Sequence, residues 1–457
     1  MIFMKNSMQA GFARLDITPP LGVEIPGGWD KRYGDGVLDP LYVNALAFRQ
    51  GEKTAVVLVL DMLGMYQGSS IWHTQIAQEL NLPRDAVFLC STHSHTTPKV
   101  DRPGSDAQYD KWLFHRLCEA ADLAIRDCRP VKDVQWAQQR AQGKTFVRRF
   151  YLKDGTVMTN PPAQIREQIV RPACEADDSL RLIRILREEG PEIALVNFQC
   201  HPDNTGGTSY SADYPGVLCS AVEAERENVR CVFLDGAEGQ MVPGNRMEIN
   251  TGLPGKGRAK AEFIGLGLAA LVLPMFERTT STRQTGLAFG QKIACLETKW
   301  DAARLEESRR IVALYQEGKT EQIHPVRKQA NYIYAEALKI CQLDDRQICP
   351  TVETLDKLPT PVSAIAFGGM ALVGIPGEPF CEIGVNIRAD APFPVTCVCC
   401  QTNGSYGYFP DAKAYDQGGY EAYNTPVVKG SGEVLVATAL ELLNTLGCAE
   451  HQTPEAE

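Results

Sequence analysis

Histidine is scarce in this sequence, with seven among 457 residues, so each one can be weighed separately. Positive charge is also short: 46 Lys and Arg stand against 56 Asp and Glu, for a formal net charge of −10. That balance lacks the basic stripe of a nucleic-acid-binding protein and disfavours docking on anionic lipid. No run approaches the ~20 uninterrupted apolar residues of a membrane span. The longest, around Leu266–Phe276, is broken by Gly267. The opening segment has no basic stretch followed by an apolar core, so it does not read as a secretory leader. These absences set the expectation of a cytoplasmic protein whose partner is a small molecule, with no nucleic acid and no stable membrane association. Paired CxxC zinc spacing, internal repeats and Ser/Gly linkers are missing too. The fifteen cysteines, from Cys90 to Cys448, therefore read as reduced thiols, mostly buried as small hydrophobes.

Hydrophobic residues make up 44% and charged residues 22% of the chain, the mix of a globular protein. Short β-rich runs alternate with amphipathic helices. Strands are predicted at 54–62, 86–91, 193–199, 230–236, 361–374 and 394–402. Several are near-continuous Val, Leu, Ile and Cys, as expected for strands covered on both faces. Helices are predicted over 107–128, where Tyr109, Leu113, Leu117, Ala121 and Ala124 share a stripe, and from Asp213, with Pro215 in the first turn. A helical pair over 302–342 falls between sheet segments and reads as an insertion able to cover a site. The expected fold class is α/β: a mixed β-sheet core flanked by helices, one unit over 1–448 with a polar tail at 449–457.

His73 and His115 fall in predicted helices, His324 in a turn and His451 in the tail. The other three follow predicted strands. The strand at 86–91 runs into Thr92-His93-Ser94-His95-Thr96, where residues two apart point to one side. Carboxyl ends of strands are where α/β sheets collect ligands, and neutral imidazole suits zinc. Alone, the fork reads equally as two polar loop histidines. His201 repeats the pattern after 193–199, and a third histidine at a strand exit favours a metal site. The strand at 230–236 exits into a loop, Ala237–Asn245, whose glycines permit close backbone approach and whose N–H groups could receive an oxyanion. A plain turn is the alternative there.

Taken together, the segments resemble the catalytic domain of the neutral/alkaline ceramidase family. The resemblance rests on Gly11-Phe12-Ala13-Arg14-Leu15-Asp16-Ile17-Thr18-Pro19-Pro20, on Thr92-His93-Ser94-His95, on Cys200-His201-Pro202 with Ser211-Ala212-Asp213-Tyr214-Pro215-Gly216, on Ile375-Pro376-Gly377-Glu378, and on Gly407-Tyr408-Phe409-Pro410 followed by Tyr415 and Gly418-Gly419-Tyr420-Glu421. No single block is decisive, but their order from residue 11 to 421 is specific. The resemblance implies one zinc ion per chain held by His93, His201, Glu378 and Tyr408. It implies catalytic roles for His95, for Tyr420 and for Arg148, although the asparagine that precedes this arginine in the family is Val147 here. The activity implied is attack of a zinc-activated water on a carbonyl, cleaving a C–N amide bond. The plainer alternatives are a surface carboxylate at Glu378, aromatic packing for the tyrosines and an ion-pair partner at Arg148.

The match departs from full ceramidases, which carry a further C-terminal β-sandwich that is not expected here. In the strand-exit loop, Gln240 stands where the family has an acid and Val242 where it has a hydroxyl. The expected substrate is therefore a soluble acylated small molecule rather than membrane ceramide. Ester or lactone hydrolysis is the alternative, as is a non-catalytic, metal-stabilised ligand-binding protein.

Overall fold

The computed structural model describes residues 7–450, apart from 66–67, 246, 248–253, 285 and 351. Period-two alternation of apolar side chains explains how its layers are built. Eight strands form most of the larger sheet: β1 (Gln9–Asp16), β2 (Tyr42–Gln50), β3 (Lys53–Leu60), β4 (Val87–Ser91), β5 (Arg129–Arg140), β6 (Ser179–Arg187), β7 (Glu192–Phe198) and β8 (Val229–Asp235). Their spatial order is β8-β7-β6-β5-β1-β2-β3-β4, and Thr280–Ser281 adds a short ninth strand against β5. The sheet is mixed, with β3/β4 and β7/β8 parallel and the other pairs antiparallel. Along β3, Val57 and Val59 face one core while Val56, Leu58 and Leu60 face another.

The second sheet contains β9 (Leu287–Glu297), β10 (Lys357–Phe367), β11 (Met370–Gly374) and β12 (Val395–Cys399), in that order. It lies against the first sheet, where Phe48 and Phe367 stack with ring centroids 4.3 Å apart. Truncating either ring would cost about 3–5 kcal/mol. Helices cover the outer faces. Helix α1 (Ala107–Arg126) packs on β1 and β2, and the pair α2 (Asp213–Glu225) and α3 (Arg258–Met275) packs near β7 and β8. Helix α6 (Ser431–Glu450) lies on the second sheet. α3 is long and apolar enough to cross a membrane by length and composition, but Ile264, Leu268 and Val272 pack into the core with α2. Gly265 is required there: an added Cβ would sit 2.7 Å from Val217.

The expected α/β architecture with flanking helices is present. The segment expected as one strand over 361–374 is two, because Gly368 and Gly369 turn with positive φ between β10 and β11. The helical pair is α4 (Leu305–Gln316) and α5 (Arg327–Asp344), which pack on each other. All fifteen cysteines are free; nine are buried and only Cys295 and Cys448 are exposed.

The site forms between strands that lie far apart in the sheet. His93 follows β4 and His201 follows β7, and these strands are not neighbours: β4 is one edge of the large sheet and β7 lies beside the other. The two regions are clasped by the chain leaving β12. Cys90 bridges Thr402, Leu89 N donates to Asn403 Oδ1 at 2.9 Å, and Cys400 N donates to Asp235 O at 3.1 Å.

Candidate metal centre

His93 begins the site with φ of +64°. This left-handed conformation is uncommon for a side chain with a Cβ and persists where its surroundings enforce it. Its Nδ1 lies 2.6 Å from Leu63 O, which fixes that nitrogen as the donor and leaves Nε2 as a lone pair. His201 is oriented similarly. Its Nδ1 lies 3.0 Å from Met241 O and 3.1 Å from Glu238 O, and the Glu238 carboxylate also rests against it. His201 Nε2 is 3.3 Å from Glu378 Oε2, and His93 Nε2 is 3.6 Å from the same oxygen. The His93 and His201 rings are 5.1 Å apart.

Glu378 and Tyr408 arrive together by strand register. The short strands β13 (Glu378–Pro379) and β14 (Tyr408–Phe409) pair in parallel with Glu378 opposite Tyr408. Between them in sequence, β12 feeds the clasp, whereas β13 and β14 carry donors. The loop after β8 must pass close beneath them. Gly239 N donates to Pro379 O at 2.9 Å, and a Cβ on Gly239 would sit 2.6 Å from Glu378 O.

Burial opposes charge on all these groups, yet they hold it mutually. Desolvation disfavours the Glu378 carboxylate, but His93 and His201 hold it well below its usual range. Burial lowers His201, and the adjacent Glu238 outweighs that, raising the imidazole to about 10, so a bound cation would displace the proton from Nε2. His93 Nε2 and Glu378 Oε2 are buried with no hydrogen-bond partner. Donor atoms of His93, His201, Glu238 and Glu378 all lie within 4.8 Å of one another, as do those of His93, His95 and His201. Buried polar atoms normally find partners, so unpaired nitrogen and oxygen lone pairs converging at one point fit a cation. Two imidazoles and a carboxylate are a donor set suited to zinc.

His95 sits beside this cluster, its ring 5.0 Å from His93 and 5.8 Å from His201. Desolvation pushes it down to about 3, so it is a neutral imidazole, and its Nε2 has no partner. Tyr420 packs edge-on to Tyr408 at 5.6 Å, and its hydroxyl accepts from Asn424 Nδ2 at 2.7 Å. Arg148 takes the ion-pair arrangement and also approaches the cluster. It is ion-paired to the fully buried Glu421 at 2.7 Å, and its Nη1 also lies 3.4 Å from His201 Nε2. Arg149 and Thr159 complete the shell around Glu421, at 3.1 and 2.6 Å.

Glu238 is the functional candidate that motif reading missed. The loop lacks an acid at Gln240, but a carboxylate reaches His201 from two residues earlier. Gln240 instead donates to Cys381 Sγ at 3.4 Å and accepts from Cys381 N at 3.0 Å. Val242 pairs with Phe146 across a two-residue ladder and lines a cavity of about 330 Å³ with Arg148 and His201. A larger cavity of about 470 Å³ opens over the cluster, lined by His95, Arg148, His201, Tyr408 and Tyr420. One wall is α5, through Lys328, Tyr332 and Lys339.

No protein-family model matches the sequence, and no curated protein matches it. Solved structures do resemble it. The neutral ceramidase from Pseudomonas aeruginosa superposes with a TM-score of 0.70 at 12% identity, covering 99% of this chain and 76% of that one. A ceramidase complexed with C2 gives 0.68 at 14% identity, with the same coverage of 99% and 76%. Likeness at these identities is a likeness of fold, and the fold of this chain is ceramidase-like.

Proposed function

We propose that the protein is a zinc-dependent hydrolase that cleaves a C–N amide bond of a soluble acylated small molecule. The observation that carries the reading is the convergence of buried donor atoms from His93, His201 and Glu378, of which His93 Nε2 and Glu378 Oε2 have no hydrogen-bond partner, beside a cavity lined by His201 and Tyr408. These four residues would hold one zinc ion. When bound, zinc supplies Lewis-acid polarisation of a carbonyl and acidifies a water molecule. Leu63 O and Glu238 fix the tautomers of His93 and His201, so each turns Nε2 into the site. His95, neutral and unpaired at Nε2, accepts the proton that the attacking water loses and returns it to the departing amine. Tyr420 accepts from Asn424, which leaves its own O–H to donate to the developing oxyanion. Arg148, locked by Glu421 and Gly239 O, places a fixed positive charge beside the same oxygen.

The test is metal analysis of purified protein together with hydrolysis of matched soluble amides, esters and lactones. About one zinc per chain, with amide turnover that chelation abolishes and zinc restores, supports the reading. Faster ester or lactone turnover would shift the substrate class. Stoichiometric zinc with no turnover anywhere in the panel would favour a binding protein.

A further inference from the structure

Among the charged groups around the site, Lys339 stands apart. It projects from α5 and is 6% exposed, yet among the described residues no carboxylate lies within ion-pair distance of it. Its Nζ donates to Tyr406 O at 3.1 Å, which uses one of three N–H groups. The buried arginines and the histidine closest to the cluster are matched. Arg148 and Arg149 share Glu421, and His201 has Glu238. The acid that acts on Lys339 electrostatically is Glu378, and the proposed metal would claim that carboxylate. Burying an ammonium without a counter-charge is costly, and the fold keeps this one against the cavity.

The backbone is arranged to admit it. Gly407, with φ of +112°, lies directly before Tyr408, and a Cβ there would come within 2.9 Å of Lys339 Nζ. Lys339 lines both the cavity over the donor cluster and an adjoining one of about 380 Å³, and Arg102 lines both as well. Trp29 and Tyr334 are shared by the same two cavities and give non-polar walls. Burial lowers the ammonium to about 8, with Glu378 pushing the other way and Arg102 adding to the lowering. A neutral substrate offers such a group hydrogen-bond acceptors but no counter-charge.

We propose that the substrate carries a compact oxyanion, a carboxylate or phosphonate-type group, received by Lys339 beside the candidate metal centre. The proposal takes the hydrolase reading for its turnover half, while its binding half stands without it.

Three probes on zinc-loaded protein test it: N-hexanoylglycine, N-hexanoylaminomethylphosphonate and the neutral N-hexanoylethanolamine. An anionic probe should exceed the ethanolamide in kcat/KM by about tenfold or more, as a hydrogen bond to a charged group allows. The two anionic arms distinguish a carboxylate from a phosphonate. Lys339→Gln should bring the ratio towards one, and Lys339→Arg, which keeps the charge, should retain much of it. Circular dichroism and zinc content of both variants control for folding. Thermal shift gives the second readout, because it needs no turnover. If no probe is hydrolysed, the hydrolase reading fails for these amides. Stabilisation by an anionic probe but not by the ethanolamide, lost in Lys339→Gln, would still uphold the anion site. Equal shifts or none, a wild-type ratio near one, or a preference that survives Lys339→Gln overturns it.

Discussion

Glu238 fixes which nitrogen of His201 is free, and it does so from a fully buried position. Removing its charge should weaken metal binding while leaving the four proposed donors in place. Glu238→Gln is expected to lower zinc affinity by about 10- to 100-fold, measured by chelator competition. His93→Ala should lose the ion almost wholly, whereas His95→Ala should keep it and lose about 10²–10³ in turnover. Equal metal loss in the two alanine variants would make His95 a donor, as its place within 4.8 Å of His93 and His201 allows. His73 gives a separate prediction on stability. Burial holds it down at about 4, against 6.5 for a free imidazole, and its Nε2 lies 2.7 Å from Val87 O. Between those values the unfolded chain binds the proton and the folded chain does not, so the stability His73 contributes is full above about 6.5 and lost as pH falls towards 4. The full span is worth about 3 kcal/mol. Asp61, raised to about 7 by burial, has the opposite slope, so the measurement is the difference between wild type and His73→Gln across pH 7 to 4. That difference should shrink as the pH falls. The strand-exit histidines are legible in sequence because their spacing and context are local. Glu238 is not, because nothing in Ala237-Glu238-Gly239 says that the backbone aims this carboxylate at a residue on another strand.

At the level of elements, the strands that can be read from sequence are those buried on both faces. β3, β4, β7 and β8 are almost continuously apolar, and their observed bounds differ from expectation by a residue or two. β5, reading Arg-Pro-Val-Lys-Asp-Val-Gln-Trp-Ala-Gln-Gln-Arg, is half exposed and polar along most of its length, and gives no comparable signal. The pairing of β13 with β14 is also invisible beforehand. Each is two residues long, and only the fold puts Glu378 opposite Tyr408. That pairing depends on the close passage of Gly239 beneath it. Gly239→Ala would drive a methyl into Glu378 O and Pro379 O and should destabilise the fold by about 1–3 kcal/mol. Since the displaced strand carries a donor, zinc affinity should fall further than the stability loss alone explains. Thermal melts and metal titration on one preparation separate the two effects.

Across the whole molecule, the cavity is walled by polar and aromatic groups, including Asn160, Asn331, Trp29 and Tyr332, and Val242 puts an apolar side chain in the adjoining space. A ceramide hydroxyl placed against Val242 would go unpaired, at a cost of about 1–3 kcal/mol. Short-chain ceramides are therefore expected to turn over at least about tenfold less efficiently than the best soluble amide under matched conditions. Ceramide as the fastest substrate in the panel would refute this. The clasp at Cys400–Asn403 has a consequence for biogenesis. His93 and His201 are made well before the segment that joins the regions carrying them, which follows some two hundred residues after His201. Domains fold as units as synthesis proceeds, and here the unit cannot close until its last strands emerge. A nascent chain halted before residue 378 would hold two histidines with neither the carboxylate nor the clasp. The proposed donor set is complete only once Glu378, Tyr408 and the clasp have been made, and the open sheet edges are what a chaperone would have to guard until then.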